Sequence, residues 1–238
     1  MTAHIPPGVG LYRQADAARL LGIRPDRLRR WVQGYTYRPR PGASARVYQD
    51  PVVNSDVPRV GGEVALSFLE LMELRVVIGL LDYPQISLQK IRRAADEASD
   101  LLDTRHPFAS RRIFTDGQEI LAALDPGSAS QSDLLELTHP SRSQIVAGML
   151  MQPILDEIDY SEETAMAEMW WPHSRSVPIV LNPRVMFGAP TIVGTRITTS
   201  VLGRLAEFDT ADEISTVYDL PAETVRLAAE FEATLRAA

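Results

Sequence analysis

Arg24, Arg27, Arg29, Arg30, Arg38, Arg40 and Arg46 crowd into one short stretch of a 238-residue chain whose net charge is -7. A guanidinium is a permanent cation whose planar fork of N–H donors suits phosphate oxygens and the acceptor edge of guanine. Residues 11–46 hold nine Arg against Asp16 and Asp26, so this window carries +7 and the other 202 residues together carry -14. An acidic protein with one basic face is built to meet a polyanion there and something else elsewhere.

The order of residues divides that surface by task. Arg27, Arg30 and Gln33 fall on one side of a helical pattern and are the candidates for reading base edges, with Arg24 at its start. Arg29, Arg38, Arg40 and Arg46 are the candidates for phosphate.

Other chemistry finds little support. With no Cys, the chain has no disulfides, no thiolate metal ligands and no thiol nucleophile. Five residues separate Gly188 from Gly194 where a phosphate loop needs four, and Thr195-Arg196 stands where Lys-Ser/Thr belongs, so a structural turn is expected. Asp156, Glu157, Asp159, Glu162 and Glu163 lack a calcium-loop spacing or a His companion and read as a solvated face. His4, His106, His139 and His173 are scattered, and none pairs with a nucleophile. Neither a catalytic site, a metal site nor a cofactor is expected.

The elements that must carry the arginines follow from periodicity. Ala17, Ala18, Leu20 and Leu21 give one helix an apolar face, Gly22 makes a turn, and Pro25 opens a second helix where its missing N–H costs nothing. Leu28, Trp31 and Val32 recur at i, i+3 and i+4 and turn inward, which leaves Asp26, Arg27, Arg30 and Gln33 outward. This is helix-turn-helix spacing. Residues 35–48 are too rich in Pro and Gly for helix but carry β-formers at both ends, as a hairpin wing would.

Beyond the wing, an apolar helix is expected from about Glu63 to Leu81, with Glu63, Ser67, Glu70 and Glu73 as its narrow polar stripe and part of its surface left for a dimer contact. Ser87 caps a following helix containing Leu88, Ile91, Ala95, Ala98 and Leu102. Phe108 to Leu124 reads as a strand-like edge and a short helix, and residues 125–132 have linker composition. Between Asp133 and Pro178 the chain is acidic; Ile145–Ile158 fits helix or strand, and Thr164–Trp171 could pair with it.

A strand at Val177–Leu181 and three helices, at about Ser200–Phe208, Ala211–Tyr218 and Pro221–Leu235, close the chain, with Thr210 and Glu213 as a capping box. The last two repeat helix-turn-helix spacing, but residues 200–238 hold eight acids against Arg204, Arg226 and Arg236 and would repel a phosphate backbone. The fold expected is mainly α with small β elements. It comprises an N-terminal winged helix-turn-helix, a helical middle segment and a C-terminal β-turn plus three-helix domain. The boundaries expected are 1–125, a DNA-binding domain with dimerising helices; 126–176, an acidic connecting segment; and 177–238, a protein-binding domain. Trp170-Trp171 before Pro172 fits core packing plus loop cover, or an exposed anchor for a partner, with Arg196 a further contact candidate.

Tyr12-Arg13, the helix-turn-helix, Leu28-Arg29-Arg30-Trp31 and Arg46-Val47-Tyr48 resemble the winged DNA-binding head of MerR-like regulators. Phe187-Gly188-Ala189-Pro190 and Gly194-Thr195-Arg196-Ile197, with the helices that follow, look like a small bacterial domain of unknown function that recurs in antitoxins. Together with Leu66–Leu71, His106-Pro107-Phe108 and Trp170-Trp171-Pro172, the combination resembles VapB-type antitoxins of an unusually long kind. That resemblance implies a PIN-domain ribonuclease toxin as partner, an operator in the shared promoter, and repression by a homodimer. The alternative is a stand-alone MerR-like regulator without a toxin partner. No run of 18 apolar residues and no secretory start are present, so a cytoplasmic protein without a membrane role is expected.

Overall fold

The computed structural model describes residues 8–40, 45–57, 59, 63–115, 120–123, 134–136 and 156–237. The tip of the wing, the linker at 125–132 and the stretch Ile145–Leu155 lie outside the described residues.

Strand β1 (Tyr12–Arg13) leads directly into helix α1 (Gln14–Leu20), and Gly22, at φ +63°, turns the chain into α2 (Pro25–Gln33) with Pro25 in its first turn. Only glycine adopts that φ without a side-chain penalty. Ala17, Ala18, Leu21, Leu28, Trp31 and Val32 are buried together, so the two helices close on the apolar stripe that their spacing predicts. The wing is the antiparallel pair β2 (Tyr35–Tyr37) and β3 (Val47–Gln49), in register Thr36 opposite Tyr48. The chain then returns across α2, where the Val52 and Val53 amides both donate to the Trp31 carbonyl and both side chains are buried.

Strand β4 (Ala65–Leu66) pairs antiparallel with β1, and α3 spans Phe68–Leu80. Helix therefore begins five residues later than the Glu63 expected. The Ser67 hydroxyl accepts from the Glu70 amide at 3.2 Å while the Glu70 carboxylate accepts from the Ser67 amide at 2.9 Å, a reciprocal cap that fixes the start. The expected polar stripe is also corrected. Glu70 is 0% and Glu73 3% exposed, and Phe68, Leu71, Met72, Leu74, Val76, Val77 and Leu80 are buried within the single chain. The apolar circumference of α3 is thus covered intramolecularly, which removes the ground for dimerisation through it.

Each buried carboxylate is held. Glu70 accepts from the Asp56 amide, the Ser55 hydroxyl and the Ser67 amide, and Glu73 lies 3.0 Å from His106 Nδ1 and accepts from the Phe108 amide. Burial pushes both carboxyl groups above their usual range.

Helix α4 (Leu88–Leu102) starts at Ser87, whose side chain accepts from the Lys90 amide. A short 3-10 turn at Pro107–Ala109 precedes β5 (Ile113–Thr115), β6 (Ile120–Ala123) and β7 (Leu134–Glu136), which form one antiparallel sheet. The short helix expected before Leu124 is instead strand β6, because Ile120 is fully buried and the segment finds ladder partners on both sides.

In the C-terminal half, β8 (Ile158–Tyr160), β9 (Ala167–Trp170), β10 (Ile179–Leu181) and β11 (Pro190–Ile192) make a four-stranded sheet in the order β11-β10-β9-β8. Thr164–Trp171 does contribute a hairpin, pairing with residues 158–160. Helices α5 (Thr199–Leu205), α6 (Ala211–Tyr218) and α7 (Ala222–Ala237) pack on it, α6 opening on the Thr210–Glu213 capping box. Gly203 lets α5 sit so close to α7 that a Cβ there would strike the Glu232 side chain.

Among the described residues the packing forms two apolar cores. The larger runs from Tyr12 to Leu181 and includes Trp170; the smaller joins Ile179, Ile192, Leu202, Ile214, Val225, Ala228 and Phe231. Leu20 of α1 packs against both. Among the described residues, no helix is long and apolar enough to cross a membrane.

Candidate nucleic-acid interface

The inward pull of Leu28, Trp31 and Val32 turns the opposite side of α2 to solvent. Arg24, Arg27, Arg29 and Arg30 are all exposed there, while Gln33 at its end is half-buried. Two guanidinium groups are held above aromatic rings, Arg27 at 4.6 Å from the Trp31 centroid and Arg30 at 5.8 Å from the Tyr35 centroid. Stacking of this kind aims a long side chain while leaving its N–H fork free. Arg24 and Asp26 approach to 3.8 Å, a contact too exposed to neutralise the surface.

The wing is fastened to the end of α2. The Tyr48 hydroxyl donates to the Gln33 carbonyl at 2.9 Å, and Gly34, at φ +68°, leaves the space that this approach needs. Arg38 and Arg46 flank the ends of the two wing strands, and both, with Arg40, are exposed. Helix, turn and wing therefore present all seven arginines to solvent on adjoining segments.

Sequence reasoning missed part of this surface. A groove of about 390 Å³ lined by Arg24, Asp26, Arg27, Arg30, Trp31 and Tyr35 is closed by Leu88 of α4. Arg92, one turn along α4, donates from Nε to the Asp50 carbonyl at 3.0 Å and so props the chain leaving the wing. These are long-range contacts, and no local periodicity announces them.

The other candidates separate. Trp170 is 2% exposed and belongs to the main core, its indole N–H donating to Glu157 at 3.4 Å, so its ring is closed to a partner. Trp171 is half-buried, donates to Asp159 at 2.9 Å and lies under the Arg175 guanidinium at 5.6 Å. Arg196 is exposed on the turn made by Gly194 at φ +76°, where Ile192 accepts from Thr195 Oγ1 at 2.8 Å. The acids expected on a solvated face are in part paired instead: Glu157 with Arg75 at 2.9 Å and Asp159 with Arg175 at 2.6 Å. His106, expected to pair with no nucleophile, bridges two carboxylates, Glu73 and Asp56, at 3.0 and 3.3 Å. Among the described residues, no cluster of His and acids could hold a metal ion.

Residues 10–95 match a family model described as "Putative DNA-binding HTH domain", and residues 179–231 match one described as "Protein of unknown function (DUF433)". A Mycobacterium tuberculosis protein named "Putative antitoxin VapB45" is 27% identical over 224 residues, 92% of either chain. The crystal structure of Rv2018 from Mycobacterium tuberculosis superposes with a TM-score of 0.64 at 22% identity, covering 94% of this chain and 99% of that one, which shows a shared fold. A match to a helix-turn-helix DNA-binding domain over the head and a match to DUF433 near the C-terminal end thus lie in a chain similar along most of its length to a protein named as an antitoxin.

Proposed function

We propose that this protein is the antitoxin of a toxin–antitoxin pair, binding operator DNA through its winged head and neutralising a PIN-domain ribonuclease through its acidic C-terminal half. The observation that carries this reading is the exposed arginine surface on α2 and the wing, set in a chain whose remainder is strongly acidic. Arg27 and Arg30, aimed by Trp31 and Tyr35, read base edges; Arg29, Arg38, Arg40 and Arg46 hold phosphates and set the register. Two copies would place their heads on half-sites about one helical turn apart. With α3 covered inside each chain, that pairing uses another surface. The resemblance to VapB-type antitoxins and the name of the 27% identical relative support a toxin partner. The protein acts as a non-enzymatic regulator in the cytoplasm.

The test is to tag the protein in its native host, recover it, and identify what accompanies it. A near-stoichiometric small ribonuclease encoded beside it supports the proposal. Recovery of the protein alone, from cells expressing the neighbouring gene, refutes it.

One observation favours a second reading, a stand-alone regulator that senses a small molecule. A cavity of about 570 Å³ opens between the head and the β8–β9 hairpin, lined by Val9, Asp56, Phe68, His106, Met166 and Arg184 among others. Such a regulator would bind DNA without a toxic neighbour.

A further inference from the structure

The most exposed large apolar side chains on the described surface include Phe208, 86% exposed, and Val217, 78% exposed. Both belong to one segment, residues 206–219, with Phe208 in the turn between α5 and α6 and Val217 in the last turn of α6. Phe208 sits in the turn, its amide donating to the Leu205 carbonyl at 2.9 Å, and Val217 lies on α6 three residues after the buried Ile214. The fold makes no use of either ring or branch, because Ile214 supplies what α6 gives to the smaller core.

The charge around them is one-sided. Residues 206–219 contain Glu207, Asp209, Asp212, Glu213 and Asp219 and no Lys or Arg. Glu207 is neutralised by Arg236, and Glu213 is occupied in capping α6 at Thr210. Asp209, Asp212 and Asp219 are exposed. Large apolar groups standing in solvent on one segment with exposed acids that pair with no cation among the described residues have the composition of a binding surface, which joins apolar anchors to charge.

We propose that the segment from the α5–α6 turn to the end of α6 is the surface that grips the toxin, with Phe208 and Val217 as anchors and Asp209, Asp212 and Asp219 matching a basic protein face that carries an apolar pocket. This rests on the antitoxin reading above and deepens it. A nuclease that holds RNA needs a cationic surface to do so. An acidic segment with two apolar anchors is complementary to such a surface and would compete with RNA for it. The acids steer the encounter and act on the association rate, whereas the anchors act on dissociation.

The experiment uses the full-length protein and, as probe, the purified product of the adjacent gene, disarmed at its active site. Association is followed by a surface-binding assay for wild type, Phe208→Ser, Val217→Ser and the triple variant Asp209→Asn, Asp212→Asn, Asp219→Asn. The expected result is an affinity at least about tenfold weaker for Phe208→Ser, mostly through faster dissociation. The triple variant should associate more slowly and lose the salt dependence of its on-rate. Melting temperature and operator binding should stay as in wild type, because these side chains are in solvent. Wild-type affinity in all three variants overturns the surface while leaving the antitoxin reading standing. No complex with wild type overturns both. A changed oligomeric state in Phe208→Ser with toxin affinity intact assigns the segment to a second copy of this chain and overturns the proposal.

Discussion

The Tyr12 hydroxyl donates to the Gly188 carbonyl across 2.8 Å, joining two residues 176 positions apart. The neighbouring backbone repeats the link, with the Leu11 amide donating to the Phe187 carbonyl at 3.1 Å. Met186 and Phe187 adopt φ of +46° and +56°, and Gly188 +84°, so the chain accepts a strained path to present these carbonyls to the head. Tyr12→Phe should cost about 1–2 kcal/mol in chemical denaturation. Gly188→Ala should cost more, about 2–3 kcal/mol, since a Cβ there meets the Tyr12 hydroxyl at an unfavourable φ. Unfolding of the two halves in separate steps in wild type would contradict the role given to this bond.

DNA binding should show two kinds of arginine. Arg38→Ala and Arg46→Ala should each lower the slope of log K against log salt by about one, uniformly across sequences. Arg27→Ala or Arg30→Ala should cost about 1–3 kcal/mol and relax preference at one base pair. Fluorescence anisotropy at several salt concentrations, with a scan of operator variants, separates the two. An unchanged slope for both wing variants would remove the wing from the interface.

The His106 cluster predicts a pH dependence of stability. Burial lowers the imidazole pKa, but the hydrogen bond to Glu73 and the charges of Glu73, Asp56 and Glu70 outweigh it and hold the group above its ordinary 6.5. Arg105, paired with Asp56, is the facing cation. The folded state then binds a proton that the unfolded chain has released, so the stabilisation is complete below about pH 6.5 and is lost as pH rises through the raised value. Glu73→Gln removes the main cause of the upward shift. Thermal melts from pH 5.5 to 8.5 should show a decline above pH 6.5 in wild type and a flatter profile in Glu73→Gln. Parallel profiles would show that His106 is already neutral in the fold.

Arg75 and Glu157 form a bidentate pair, with Nε donating to Oε2 at 3.1 Å and Nη2 to Oε1 at 3.0 Å, and both side chains are about one-fifth exposed. It ties α3 to the turn before β8. A double-mutant cycle with Arg75→Met and Glu157→Gln should give a coupling of about 1–3 kcal/mol. Additive losses would mean that the pair contributes only packing.

The local elements were legible wherever neighbouring residues decide them. Pro25, Ser87 and the Thr210–Glu213 box mark helix starts, and the Leu28, Trp31, Val32 stripe places the arginines outward. What stayed hidden was set by partners far along the chain. Glu70 and Glu73 look like a solvent stripe because their satisfying groups come from Asp56, His106 and Phe108. Ala65-Leu66 reads as helix because its strand partner is Tyr12-Arg13. Tandem Trp170-Trp171 carries no sign of which ring is buried, since β9 is fixed by pairing with β8 and β10.

Strand β9 is held from both sides: it ladders with β10 of the C-terminal half while Trp170 fills the core that also contains Tyr12, Trp31 and Phe68. The two matched regions are therefore not beads on a string. A fragment cut after residue 176 would keep Trp170 but leave β9 without its β10 neighbour, an open edge that invites aggregation. Grafting this head onto a foreign C-terminal module demands that the donor carry β8 and β9 with it. Inheritance of the pair as a single cassette is what such shared architecture imposes.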